Sequence, residues 1–189
     1  MISFFFYDFK PIIPRYLLSL DIKQCKKLLP IGLREDILEE FKLKDNIRDI
    51  SIPEIQINNL NYNPDWALYP LMKYGTVRSL DYLRWRYLQH PFFDYKIVFQ
   101  GGFERPAVCI YRVEKAYGYY ESLVAHIVDF YFPNDSTGEE DARDVLMSVV
   151  STLKKQGCSF VDFYCSMPSF SRIFEELGAK EEPEDKEIL

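Results

Sequence analysis

Metal and disulfide chemistry have little to work with in this chain. It carries 4 Cys and 2 His in 189 residues. Cys25, Cys109, Cys158 and Cys165 form no CxxC pair, and only His90 and His126 could join them. The ligand spacing of an ordinary zinc site is therefore missing. Cysteines scattered through apolar segments are expected to be buried, reduced thiols of a cytoplasmic protein. Positive charge is also short: 23 Lys and Arg against 29 Asp and Glu give a net charge of −6. That balance argues against a general binder of nucleic acid or of an anionic membrane. Residues 1–6 are apolar but too few to span a bilayer, and they lack a signal peptide's charged start and small-residue cleavage site. No Walker loop, Rossmann glycine fingerprint, HExxH helix or nucleophile elbow occurs, so those motif-borne chemistries are excluded.

What the chain does have is apolar bulk. It is 48% hydrophobic, with 14 Tyr and 15 Phe, which excludes disorder over most of its length. Its length permits one proper core plus an extension. Residues 2–9 (ISFFFYDF) read as a buried strand, broken by Pro11 and Pro14, and 15–20 form another short apolar stretch. A start this abrupt leaves the chain readable as a partial one, or as a unit with a borrowed strand. Asp21 caps a helix over 22–29, with Ile22, Cys25, Leu28 and Leu29 on one face and Pro30 and Gly32 ending it. A second amphipathic helix covers 34–41. Ile50, Ile52, Ile55 and Ile57 suggest an edge strand interrupted by Pro53. The Asn-rich run 58–64 reads as a linker, and 65–73 as a short helix. The expected organisation is an N-terminal strand and helical extension over 1–64, a main domain over 65–182 and an acidic tail over 183–189.

The most informative run is 79–95, SLDYLRWRYLQHPFFDY. Ser79 and Asp81 suit the orphan amides of a helix start. Leu80, Leu83, Tyr87 and Leu88 share a face, and the helix must stop before Pro91. Arg84 and Arg86 flank Trp85; whichever arginine is drawn into the core needs a carboxylate. Trp66 and Trp85 read as packing anchors. Strands come next at 95–100 and 107–114 about Gly101 and Gly102, with Gly118 marking another turn. A long apolar strand covers 122–132. A helix over 139–156 has acids early and Lys154 and Lys155 late, matching its dipole, and Gly157 ends it. A buried strand at 158–165, a helix at 169–177 ended by Gly178 and a last strand at 179–182 complete the pattern.

The motif Leu83-x-Trp85-Arg86-Tyr87-x-x-His90-Pro91-x-x-x-Tyr95, with two strands and Ile127-Val128-Asp129 after it, resembles a divergent branch of the GNAT family of N-acetyltransferases. The likeness covers 65–182, and the order β, β, β, α, β, α, β is that of a GNAT core. It implies an α/β class (α+β, mixed sheet): a GNAT-like fold with an N-terminal helical extension. It also implies transfer of an acetyl or other acyl group from acetyl-CoA to a small-molecule or amine-bearing acceptor. Members of this branch often carry two such lobes, so a second GNAT-like lobe or a homodimer is the implied partner, with neither nucleic acid nor membrane. Carried over to this chain, Ser136, Thr137 and Gly138 would face the pyrophosphate and the strand-end residues Phe130 and Phe132 the pantetheine. Asp129 would be the general base and Tyr164 the general acid.

The chain departs from the family at the pyrophosphate loop. The family has Gln or Arg, two residues, then Gly-x-Gly or Gly-x-Ala. Here Asn134-Asp135-Ser136-Thr137-Gly138-Glu139-Glu140 has one glycine and three acids. Those acids would repel a diphosphate, and the alternative is that these residues simply cap the helix. Asp129 likewise has a structural reading, as the ion-pair partner of Arg86 or Arg84. His126, three residues earlier, falls on the opposite face by alternation and reads as a satisfied core residue, while His90 closes a helix end. The rivals to an acyltransferase are a catalytically silent GNAT-like lobe used for binding or assembly, and a lobe of a FemAB-type aminoacyl transferase.

Overall fold

Three consecutive antiparallel strands follow residue 94, each built on a largely buried apolar run. β2 (Tyr95–Gln100), β3 (Ala107–Lys115) and β4 (Leu123–Tyr131) pair in order. The computed structural model describes residues 13–28, 35–45, 48–54, 62–69, 76–116 and 122–182. The strand expected over 2–9, the stops at Pro30 and Gly32, the turn at Gly118 and the tail 183–189 lie outside the described residues.

β4 feeds α4 (Ser136–Lys155), and β5 (Cys158–Tyr164) returns parallel to β4. Parallel neighbours need a crossover, and α4 supplies it. α5 (Pro168–Glu176) then leads to β6 (Lys180–Glu181). The N-terminal region contributes β1 (Arg15–Ser19), α1 (Ile22–Leu28) and α2 (Glu35–Glu40). The strand order is β2-β3-β4-β5-β1-β6. This is the mixed α/β sheet expected, with the β, β, β, α, β, α, β succession intact and the 122–132 segment in its interior.

The stretch 15–20, read only as apolar, is in fact strand β1, antiparallel to both β5 and β6. Five residues are too few for alternation to declare itself when Tyr16, Leu17 and Leu18 are all buried. Asp21 caps α1 as expected, its Oδ1 accepting from the Lys23 and Gln24 amides at 2.9 and 3.2 Å. The expected edge strand about residue 50 is absent over 48–54. Ile52 instead packs against the core and donates its amide to Ser148 Oγ of α4 at 2.8 Å. The helix expected over 65–73 is a 3₁₀ turn at Trp66–Leu68 where described.

One sheet face is covered by α4 and α5. Val145, Leu146, Val149, Val150, Leu153, Phe170, Ile173 and Phe174 are all buried in the main core. The other face is covered at one end by α1 and α2, through Leu17, Cys25, Leu38, Phe41, Val124 and Phe160. At its other end lie α3 (Leu80–Leu83) and the π-helical turn that continues it, Arg84–Leu88. Ser79 caps α3 by accepting from the Tyr82 amide, as expected. The π turn adds a residue to the ladder and rotates the residues after it. Leu83 and Tyr87 stay buried, but Leu88 turns partly outward and Trp85 is 67% exposed, so Trp85 is not the packing anchor expected. Trp66 is one, seated among Tyr62, Tyr69 and Tyr131.

All four cysteines are buried and free, and burial raises the pKa of each thiol, as expected for thiols kept in the uncharged form.

Candidate active site

The β4–β5 ladder is short. Its pairing runs from Leu123↔Cys158 to Ile127↔Phe163 and then stops, while β4 continues to Tyr131. Among the described residues, the strand beyond Ile127 is paired with β3 only. β5 itself ends one residue later, at Tyr164, so the main chain of 128–131 runs on beside the gap, or notch, that the end of the ladder leaves. On the α4–α5 face Phe130, Phe132, Phe163 and Phe170 meet at centroid distances of 4.7–6.0 Å. Phe130 and Phe132, expected at a pantetheine, are buried in this cluster.

β4 carries a bulge here. Tyr111 faces Ile127, but Ile110 faces Asp129, so Val128 is the extra residue. Simple alternation put His126 and Asp129 on opposite faces. The bulge reverses that: they stand opposite Arg112 and Ile110, two residues apart on β3 and so on one face.

Asp129 lies in this face beneath α3 and the π turn. Its Oδ2 accepts from Arg78 Nε at 3.1 Å and from the Tyr87 hydroxyl at 3.1 Å, and its Oδ1 accepts from Arg78 Nη2 at 3.3 Å. The partner is thus Arg78, not Arg86 or Arg84. Arg84 reaches Asp81 at 3.6 Å, and Arg86 lies over the Tyr87 ring at 5.8 Å. Burial lowers the Arg78 pKa, but the Asp129 charge and hydrogen bonds overcompensate and hold the guanidinium above its ordinary value. Burial, reinforced by the Asp129 charge, pushes Tyr87 and Tyr131 well up, so both remain phenols. The Tyr131 hydroxyl shares a 2.7 Å hydrogen bond with that of Tyr62.

A second polar group lies on the same face. Asp162 of β5 accepts from Arg15 at 2.7 and 3.0 Å and pairs through its other oxygen with His126 Nδ1 at 2.7 Å. His126 Nε2 is 3.4 Å from Glu114, which in turn meets Arg112 at 3.1 Å. His126 is therefore not a lone core residue. Tyr164 ends β5 opposite Arg15, is 58% exposed, and has the Arg15 guanidinium 5.6 Å from its ring centroid.

The N-terminus of α4 begins at Ser136, three residues before the expected start, so Ser136, Thr137 and Gly138 form its first turn. Asp135 is the cap. It accepts from the Gly138 amide at 2.9 Å and takes both its oxygens to Arg105 Nη2, at 2.6 and 2.8 Å. That amide, ahead of the guanidinium, holds its carboxyl below the usual carboxylate range. Gly138 is buried against Pro133, whose carbonyl leaves no room for a Cβ.

Sequence reading missed Arg15, Arg78, Arg105, Arg112, Glu114 and Asp162. One signal for Asp162 was available: the tetrapeptide Val-Asp-Phe-Tyr occurs at 128–131 and again at 161–164. An acid inside an apolar strand is as costly in the second copy as in the first. Among the described residues no group of three or more His, Cys, Asp and Glu is arranged to hold a metal ion, and no helix is long and apolar enough to cross a membrane.

No protein-family model matches the chain, and no curated protein matches it. Among solved structures it is similar to a crystal structure of N-myristoyltransferase from Saccharomyces cerevisiae with bound myristoyl-CoA, at 10% identity and a TM-score of 0.46, covering 79% of this chain and 43% of that one. A second structure of the same yeast enzyme with bound myristoyl-CoA gives 10% identity, a TM-score of 0.46 and coverage of 79% and 41%. The chain thus spans less than half the length of these enzymes.

Proposed function

We propose that this chain is an acyl-CoA N-acyltransferase unit, moving an acyl group from a CoA thioester to an amine. The observation that carries the reading is the notch between β4 and β5, whose ladder ends at Ile127↔Phe163 just before β4 runs into α4. Among the described residues, main-chain groups of 128–131 on the β5 side have no strand partner. An extended chain with amide groups, such as pantetheine, fits there as a substitute strand. The first turn of α4 lies just past the end of that strand and suits the pyrophosphate. Arg105 supplies the cation that the acidic loop lacks. For it to do so, Asp135 must give up the Gly138 amide to the incoming phosphate. In this reading Tyr164, exposed at the end of β5, returns a proton to the departing thiolate. Asp129, with both oxygens engaged, fixes β4 beside the thioester.

The same Asp135 favours the second reading, a GNAT-like lobe that binds or assembles without catalysis, because the anion site at α4 is filled by the chain's own carboxylate. Thermal shift separates the two, since a ligand specific to the folded state raises its midpoint. Acetyl-CoA and a long-chain acyl-CoA are each titrated against the chain. A rise that saturates supports the transferase, and the acyl length giving the larger rise identifies the donor. A flat response up to about ten millimolar, where even a millimolar site fills, removes it.

A further inference from the structure

His126 stands directly opposite Asp162, one register position before the β4–β5 ladder ends. Asp162 is 3% exposed in its side chain and held by two guanidinium hydrogen bonds from Arg15. Its charge is compensated and its position fixed, so its free oxygen orients the imidazole through Nδ1 at 2.7 Å. His126 itself is 23% exposed in its side chain. Its Nε2 looks toward Glu114 Oε2 at 3.4 Å. Glu114 Oε1 lies 3.1 Å from Arg112 Nε, but the two are too poorly aligned for a hydrogen bond, and neither atom has a hydrogen-bond partner among the described residues. Arg112 is in turn held by the Phe93 ring at 4.1 Å and by the Tyr95 hydroxyl at 3.3 Å.

In the neutral tautomer that donates Nδ1–H to Asp162, Nε2 presents a lone pair. In that form it faces Glu114 Oε2 as one acceptor faces another, with no donor between them among the described residues. A group carrying several N–H donors satisfies both at once, and a primary ammonium carries three. We propose that Glu114 Oε2 and His126 Nε2 are the seat of the acceptor amine and that His126 is the base that deprotonates it, an assignment that rests on the acyl-transfer reading above. The ammonium gives one proton to Nε2, and the freed lone pair attacks the thioester carbonyl carbon. The new C–N bond forms, the C–S bond breaks, and its electron pair leaves on sulfur. Of the two protons nitrogen sheds in all, one passes through His126 to solvent. The other makes good the proton that Tyr164 gives to the sulfur. Glu114 binds the substrate; Asp162 and Arg15 are positioning residues that act through the imidazole.

With 2 His in the chain, imidazole NMR offers two sites, and His90 serves as the internal reference. The full chain is titrated at constant pH and ionic strength with n-butylamine, and separately with N-butylacetamide, which lacks the ammonium. The His126 Cε1–H resonance moves saturably with the amine alone while His90 stays in place. Glu114→Gln weakens the apparent affinity about tenfold, the loss of one charged hydrogen bond. Asp162→Asn, if it folds, redistributes the two His126 ring-nitrogen shifts as the tautomer changes. A His126 response equal to that of His90, equal with amine and amide, or unsaturated at high amine overturns the seat, and these comparisons need no variant. No CoA is present, so the two readings fail separately. An acyl-CoA thermal shift without the His126 response leaves transfer and removes the seat. A His126 response without the thermal shift leaves an amine site and removes the step.

Discussion

At the scale of single residues, the two Val-Asp-Phe-Tyr runs solve one problem twice. Each places an Asp and a Tyr on one strand face, two positions apart. Each Asp takes an arginine from elsewhere in the chain: Arg78 for Asp129 and Arg15 for Asp162. Each of those guanidiniums also lies over the tyrosine two positions on, at 5.7 Å for Tyr131 and 5.6 Å for Tyr164. A buried carboxylate explains the arginine, and the ring gives the cation's other face a partner. Deleting one member leaves the rest stranded. Asp129→Ala is expected to cost about 3–5 kcal/mol in urea unfolding, because Arg78 and the Tyr87 hydroxyl lose their acceptor. Arg84→Ala and Arg86→Ala, the partners the sequence suggested, should each stay within about 0.5 kcal/mol of the parent. If Arg86→Ala instead matched Asp129→Ala, the Arg78 pairing would be wrong. Nothing in the composition could choose among Arg78, Arg84 and Arg86. The choice is made by the π turn, which sends Trp85 and its neighbours outward and leaves the Asp129 oxygens to the arginine just before Ser79.

At the scale of elements, α4 was legible in its apolar stripe and its late lysines but not in its first turn. Ser136, Thr137 and Gly138 look like loop residues, and only the cap geometry makes them helical. Asp135 supplies that cap, and its folded pKa lies below the ordinary 3.8. A carboxyl depressed on folding adds stability that is complete above its unfolded value and disappears as pH falls through the folded one. From about pH 6 to about pH 2 the parent should therefore lose more of its melting temperature than Asp135→Asn, which caps without titrating. Equal acid sensitivity would mean that the carboxylate is not held there. Gly138→Ala tests the same turn sterically. The added methyl meets the Pro133 carbonyl, backbone that cannot step aside, so a loss of about 1–3 kcal/mol is expected by chemical denaturation. The strands tell a similar story. β2, β3, β4 and β5 could be read from alternation and apolar runs. The bulge at Val128 could not, because it depends on the partner strand, and it alone brings His126 and Asp129 to one face.

At the scale of the whole molecule, the N-terminal segment is part of the same sheet as the remainder. β1 pairs with β5 on one side and β6 on the other, so among the described residues β6 has no other strand to hold it. Tyr16, Leu18, Leu20, Leu43 and Tyr62 belong to the core that also holds α4 and α5. Local sequence registers polarity and turn residues but not pairing at a distance, and β1 reaches β5 across more than a hundred residues of chain. A chain begun at residue 65 would uncover the β5 edge, empty the positions of Tyr16 and Leu18, and leave Asp162 without Arg15 in a buried place. Each of these faults alone is severe: an unpaired buried charge costs about 3–5 kcal/mol and each large core side chain lost about 2–5 kcal/mol, against a total stability of about 5–15 kcal/mol. The truncated chain should therefore fail to fold, with no dispersed amide NMR spectrum and no cooperative melt, while the full chain melts in one transition by far- and near-ultraviolet circular dichroism. A truncated chain that melted cooperatively would show that β1 only decorates the sheet. The support of His126 through Asp162 and Arg15 would then be dispensable, and the amine seat would have to stand on β3 and β4 alone.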